Sequence, residues 1–499
     1  MKILNLIPLQ TGIGIVDFAT STPFLRSFIG KALARLAYYN VLKVNDYSFP
    51  VEVQRDKVAM IIAIIYSVER GLAHGLINPT VRHKLAEIFF GKIMLKPEEQ
   101  RRQFKAQFGT DPPGFITISP TARCNLKCHG CYAASDAAQK TFLPYSVFDR
   151  ILREKVDLWG SHFTVISGGE PFLYRDEGRT LLDIIAEHPE QYFLIYTNGT
   201  MINREVAKRL GELGNATPAI SVEGMEKETD SRRGKGTFKR ILAAYDNLRQ
   251  AGVPFGVSVT ALRHNAELLF SDEFFDFFFE RQGALYEWVF QYMPIGRGFD
   301  LHMMVTPEQR LDMYTRTWDL IRNRHLFIAD FWNCGTVSDG CIAAGGGKGG
   351  GYYYIDWNGS IAPCVFNPFH THNIKEVFAS GGDLNTLITL PLFREIRKWQ
   401  TGYFHDRPND RKGNLIAPCP YRDHHRRMRE IIDVVHACPI DENGGLALKD
   451  PEYREGMIRY GMEFKRLTAP IWENRYIRPE REKSSSAPDE RLPSNLPGD

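Results

Sequence analysis

TARCNLKCHGCYA, residues 121–133, decides how the rest of this chain is read. It places Cys124, Cys128 and Cys131 at the spacing Cys-x3-Cys-x2-Cys. Three thiols this close in one loop suit one metal centre better than three separate tasks. A fourth cysteine nearby would close the coordination shell, as in structural sites and electron-transfer clusters. The next one does not come until Cys334. Three thiolates on a cubane 4Fe–4S cluster leave one iron open, and an open position marks a catalytic metal site. Taken alone, the motif also fits a zinc loop or three unrelated buried thiols.

The stretches that follow set the context. TVISGGEP (Thr164 to Pro171) is a β-branched run ending in Gly-Gly-Glu, which predicts a strand breaking into a loop. Glycines there let the backbone approach a ligand, and exposed N–H and C=O groups can hold a charged head group. FLIYTNGT (Phe193 to Thr200) and AISVEG (Ala219 to Gly224) repeat the strand-then-turn pattern. Strands are expected at Phe115–Ser119, Thr164–Ser167, Phe193–Thr197, Ala219–Val222, Phe255–Thr260 and Trp288–Tyr292. Helices are expected between them, at Pro144–Trp159, Thr180–His188, Arg204–Gly214, Phe238–Ala251 and Asp272–Arg281. Six βα units predict an α/β fold with a parallel sheet curled into a complete or partial barrel. Its chemistry sits at the C-terminal strand ends, where each motif falls.

In order and spacing these segments resemble the radical S-adenosylmethionine (radical SAM) superfamily. The resemblance implies a partial (β/α)6 barrel, open on one side to admit substrate. It implies a 4Fe–4S cluster on Cys124, Cys128 and Cys131 whose open iron chelates SAM. Reductive cleavage of SAM would then give a 5′-deoxyadenosyl radical that removes hydrogen from a substrate. Gly168, Gly169 and Glu170 are implied to meet the methionine end of SAM. Asn198 is implied in the cofactor site, and Ser221 and Glu223 near the SAM carboxylate and ribose. Arg233, within TDSRRGKGTFKR, would orient SAM or a neighbouring carboxylate, an ordinary basic loop being the other reading. Tyr292 would flank adenine. One departure concerns Gly130, since the family usually places an adenine-holding aromatic before the third cysteine; here Tyr132 follows it instead.

Five cysteines remain: Cys334, Cys341, Cys364, Cys419 and Cys438. CIAAGGGKGGGYYYIDWNGSIAPC reads as a glycine-rich loop, a strand (Tyr352–Asp356), an Asn-Gly turn and a return strand. It resembles the first half of the SPASM/twitch extension, which binds auxiliary iron–sulfur clusters. The compact Cys-x2-Cys-x5-Cys group of the full SPASM pattern is missing. The resemblance therefore implies one auxiliary 4Fe–4S cluster, with Cys341, Cys364, Cys419 and Cys438 as ligands. Cys334 is an alternate ligand or a buried thiol, and a metal-free hairpin is the bland alternative. The glycines around Lys348 predict a flexible loop, because no Ser or Thr follows the lysine to complete a phosphate cradle.

The 499 residues allow several domains. Residues 1–110 read as a helical region, 111–305 as the barrel, 306–477 as the SPASM/twitch-like extension and 478–499 as a disordered tail. Eight sparse cysteines argue for a reducing, cytoplasmic setting. The apolar start is a poor signal peptide, with one early lysine and an apolar run broken by Gln10 and Thr11. The best apolar run, Val58 to Val68, is too short to span a membrane. The net charge of +3 divides unevenly: residues 1–110 hold 15 Lys/Arg against 8 Asp/Glu. Helices there are expected over Phe24–Tyr39, Val53–His74 and Thr80–Leu95, with Thr80 as the last one's N-cap. They predict either a bundle packed on the barrel or an interfacial element on anionic lipid.

The first substrate expectation is accordingly a lipid or other amphiphile, with peripheral membrane contact. A peptide or protein maturase of the SPASM type is the alternative, and an electron-transfer protein without SAM chemistry the third reading. A flavodoxin- or ferredoxin-type reductant is implied, and no nucleic acid partner. The phenylalanines at 274–279 predict a core-facing helix, and HHRRMRE from His424 a solvated face.

Overall fold

The computed structural model describes residues 23–44, 49–94, 98–345 and 350–483. The apolar start weighed as a signal, Lys348 with its neighbours 346–349, and the tail from 484 lie outside them. Of the expected disordered tail, Arg478–Lys483 is helical instead.

Short β-branched and aromatic runs form the strands β1 (Phe115–Ile118), β2 (Phe163–Ile166), β3 (Tyr192–Thr197), β4 (Ala216–Val222), β5 (Gly256–Ala261) and β6 (Tyr286–Gln291). Each pairs parallel with the next in chain order. Helices fill the crossovers. Tyr145–Trp159 buries Phe148, Ile151, Leu152 and Trp159, and ends at Gly160 in the left-handed conformation. Arg204–Leu213 starts on Asn203, whose side chain accepts the Val206 N–H.

The sheet does not stop at six strands. β7 (Phe327–Asp330) adds parallel to β6. The hairpin β8 (Tyr352–Ile355) and β9 (Ile361–Ala362) adds at the other edge, with Phe115 opposite Tyr352 through Ile118 opposite Ile355. The order is β9-β8-β1-β2-β3-β4-β5-β6-β7. The two ends curl toward each other: the rings of Phe331, just past β7, and Tyr352 meet edge to face at 6.4 Å. The sheet thus runs on past residue 305, and the cysteine-bearing hairpin forms part of the wall around the site.

Val51–Ala73 and the following helix close the N-terminal end of this curled sheet. Leu76, Ile77 and Val81 form one buried cluster with Val165, Leu194, Leu285 and Tyr286. That helix is capped by Asn78, not by Thr80: Asn78 Oδ1 accepts the Val81 N–H at 2.9 Å, with Pro79 at the first helical position. The Asn78 amide also donates to Gly211 O and Ala251 O, tying the region to the barrel helices. From Leu85 to Met94 the helix widens to i→i+5 bonding. On Pro23–Tyr38 and at the start of Tyr39–Val44, Phe28 is 69% and Tyr39 60% exposed, with Lys31 and Arg35 also exposed. No described helix is long and apolar enough to cross a membrane.

Phe274, Phe275, Phe278 and Phe279 are buried in the core as their spacing predicts. The HHRRMRE stretch behaves otherwise. His425 is buried with Nδ1 2.8 Å from Tyr421 O, and burial draws both His424 and His425 down to about 4. The apolar side of helix His425–Val434 faces inward there, carrying the first histidines with it.

Candidate functional site

The cysteine loop leaves the C-terminal end of β1 and is pinned by the turn after β2. The Gly169 N–H donates to Thr121 O at 2.9 Å and the Glu170 N–H to Arg123 O at 2.8 Å. A Cβ on Gly169 would stand 2.2 Å from Arg123 O, so only glycine allows the two segments to meet. Gly168 has φ +114 and its N–H donates to the Tyr132 hydroxyl at 3.1 Å. Arg297 holds the loop from the other side: its guanidinium donates to Cys128 O and Ser135 O, and its N–H to Cys131 O.

Glu170 is fully buried. Its carboxylate accepts the Thr197 hydroxyl at 2.7 Å, the Asn198 N–H at 2.9 Å and the Phe172 N–H at 3.2 Å. Burial nonetheless pushes it up to about 7. It joins the ends of β2 and β3 and does not line the central chamber, whereas Gly168 and Gly169 do. Glu170 thus clamps the ends of the two strands beside the glycine turn. Asn198 lies inside: its amide donates to Asn125 Oδ1 at 2.8 Å and sits 3.8 Å from Cys124 Sγ.

Glu223, at the end of β4, receives both Arg232 and Arg233 on Oε1. Its Oε2 is buried with no hydrogen-bond partner among the described residues. Arg232 also donates to His129 O, linking Glu223 to the cysteine loop. Ser221 lines the chamber beside Ser258 and Thr260. The Tyr292 ring packs on Gly130, where an added Cβ would come within 2.8 Å of it.

These elements enclose a chamber of about 270 Å³ into which Cys124, Cys128 and Cys131 face together. None of the three is in a disulfide. Among the described residues no three His, Cys, Asp or Glu side chains converge on a single metal ion. Three thiols spread over one wall suit a polynuclear cluster, in which each thiolate takes a different iron. Burial pushes the Cys124 thiol up to about 12 and raises Cys128, which Arg233 and Arg232 draw back. Loading a cluster would therefore release protons. The all-sulfur donor set and the Leu126 N–H, 3.5 Å from Cys124 Sγ, fit an iron–sulfur cluster.

The second group resolves into three cysteines rather than four. Cys341, Cys364 and Cys419 line one small cavity of about 50 Å³ with Trp332, Phe366 and Tyr421. Burial raises all three thiols. Cys364 Sγ accepts the Tyr352 hydroxyl at 3.0 Å and the Phe366 N–H at 3.4 Å, and Cys419 Sγ the Arg422 N–H at 3.4 Å. Donors aimed at sulfur suit thiolate ligands. Cys438 does not join them: it is exposed, on a two-residue strand paired with Phe369–His370. Cys334 is buried against Ile328 O and lines neither cavity. Met293, Phe331, Ile342 and Phe366 line both cavities and form their common wall.

Sequence reasoning missed Arg232, Arg297 and Thr197, and noted Tyr132 only for its place after the third cysteine. Arg232 had a signal in its adjacency to Arg233. Arg297 had only its position shortly after β6, and its role depends on a loop contact no local pattern encodes.

Residues 118–267 match the Radical SAM superfamily. Over 160 residues the chain is 32% identical to Fe-coproporphyrin III synthase of Methanosarcina barkeri, covering 32% of this chain and 40% of that protein. Over 305 residues it is 28% identical to mycofactocin maturase MftC of Mycobacterium ulcerans, covering 59% and 80%. The chain thus spans less than half the length of the synthase and most of the maturase. The crystal structure of Streptococcus suis SuiB bound to precursor peptide SuiA superposes with a TM-score of 0.49 at 19% identity, over 64% of this chain and 72% of that one. The match covers residues 118–267 and takes in the cysteine loop and the strands β2 to β5.

Proposed function

From the radical SAM domain at 118–267 as premise, we propose that this chain cleaves SAM reductively and uses the resulting radical to modify a peptide. The observation that carries the reading is the single chamber shared by Cys124, Cys128, Cys131 and the glycine turn Gly168–Gly169. When bound, the 4Fe–4S cluster supplies the electron that splits SAM and yields a 5′-deoxyadenosyl radical able to remove hydrogen from substrate. The chain's own residues hold and position. The three cysteines bind the cluster, and Leu126 N–H and the Asn198 amide support Cys124. Gly168, Gly169 and Ser221 offer the polar wall for the amino-acid end of SAM. Glu223 Oε2 awaits a hydroxyl donor such as a ribose. Tyr292, seated on Gly130, presents an aromatic face for adenine. The enclosing wall excludes water from a reactive radical. Cys341, Cys364 and Cys419 hold a second cluster, and a flavodoxin- or ferredoxin-type protein supplies electrons.

A peptide substrate is supported by the likeness to a maturase along most of its length and by the aromatic part of the chamber wall, formed by Phe115, Phe163, Trp288 and Phe290. A lipid substrate is the second reading, favoured by exposed Phe28 and Tyr39 beside Lys31 and Arg35. Cosedimentation of the full chain with anionic liposomes tests it; binding lost in Phe28→Ser/Tyr39→Ser supports the lipid reading, and no binding removes it. For the main reading, iron per anaerobically loaded chain should be about eight, falling to about four in Cys124→Ala/Cys128→Ala/Cys131→Ala. Unchanged iron in that variant would refute it.

A further inference from the structure

The chamber has two chemically different halves. The half beside the cysteine loop is polar: Ser221, Asn198, Arg232 and Arg233 face it. The other half is a box of rings. Phe115 stacks on Tyr352 at 5.0 Å and meets Phe163 edge to face at 5.7 Å. Tyr196 packs edge to face on Trp288 and Phe290, and the Phe290 ring lies tilted against Phe331. Val165 adds to this surface, and its polar side chains among the described residues are uncharged. Among the described residues, Arg232 and Arg233 are the only Lys, Arg, Asp or Glu side chains lining the chamber, and both engage Glu223. The N-terminal helices close the chamber from below through Leu76, Ile77 and Val81.

Resting on the reading of the polar half as the SAM site, we propose that the group modified here is an uncharged, apolar side chain of a peptide, aliphatic or aromatic, inserted into the ring-lined half. The reasons are charge and size. An anion or cation brought into this half would lose its hydration and find no oppositely charged partner among the described residues. The carboxylates of a coproporphyrin would find no Lys or Arg side chain in the ring-lined half among the described residues. At about 270 Å³ the chamber is at the small end of ligand sites. It has room for a reacting side chain beside the cofactor but not for a folded partner. The peptide backbone then stays at the mouth, and Ser258 and Thr260 can accept or donate one hydrogen bond to a neutral group.

The test is equilibrium dialysis of the full chain with indole-3-propionamide and with its anionic counterpart, indole-3-propionate. The amide should bind once per chain and at least about tenfold more tightly than the carboxylate. In Val165→Glu, which puts a carboxylate into the wall, amide binding should be lost. Should that variant fail to fold, the ratio of the two probes on the native chain decides. Equal or tighter binding of the carboxylate overturns the proposal, as does undiminished amide binding by a folded Val165→Glu chain. SAM dialysis on the iron-loaded chain separates the two readings. Failure to bind SAM with the amide preference intact strikes the proposed function alone; SAM binding without the preference strikes this inference alone.

Discussion

The Tyr292 ring occupies the space in which a side chain at residue 130 would stand. A Cβ on Gly130 would lie 2.8 Å from Tyr292 Cε2 and 2.9 Å from Met303 Cε, at φ +63. An aromatic residue before the third cysteine is thus excluded by one that arrives from the end of β6. Gly130→Ala should cost about 1–2 kcal/mol from the left-handed backbone alone, and more from the contact. In Tyr292→Ala the contact part should vanish. A double-mutant cycle by thermal unfolding checks this: the two substitutions should be non-additive, the pair costing less than the sum.

Cys438→Ser should leave the iron content of the loaded chain unchanged, because that thiol is exposed and apart from the other three. Cys341→Ser should remove about four irons per chain. Iron analysis and electron paramagnetic resonance of both variants distinguish a three-cysteine centre from the four-cysteine one that the sequence suggests.

Arg310 and Asp423 form an ion pair with no solvent exposure on either side. Asp423 also accepts the Cys419 N–H at 3.1 Å, and Arg310 reaches Asn333 Oδ1 at 3.2 Å. Removing one partner leaves a buried charge, so Asp423→Ala should cost about 3–5 kcal/mol. It should also loosen the Cys419 turn and reduce iron at the second centre more than at the first. Asp423→Asn, which can still accept the N–H, should recover part of the iron.

Glu287 is fully buried on β6, with neither carboxylate oxygen partnered among the described residues. Burial, and then the charge of Asp330, holds it well above the usual carboxylate range. The folded state therefore keeps a proton that the unfolded chain releases near its ordinary value. This contribution to stability is full below that value and declines as pH rises, by about 1.4 kcal/mol per pH unit until the folded carboxyl ionises. Glu287→Gln removes the linkage. Its melting temperature should exceed that of the native chain by more at pH 8 than at pH 5.

The six strands and the chemistry at their ends are legible in the sequence because each signal is local: a β-branched run, then a glycine turn. Phe274–Phe279 is legible for the same reason. What is hidden depends on distant partners. Nothing near Tyr352 says that it pairs with Phe115 and makes the hairpin a wall of the barrel. Nothing near Cys438 says that it faces away from Cys341. Asn78 outcompetes Thr80 as a cap because its amide is also held by Gly211 O and Ala251 O, a tertiary contact. His425 reads as solvated from its basic neighbours, but the inward face of its helix buries it.

The most direct test is to incubate the reduced, iron-loaded full chain with SAM under anaerobic conditions and assay 5′-deoxyadenosine. The account predicts its formation, and its loss in Cys128→Ala. Intact SAM over a chain shown to carry its full iron would contradict it.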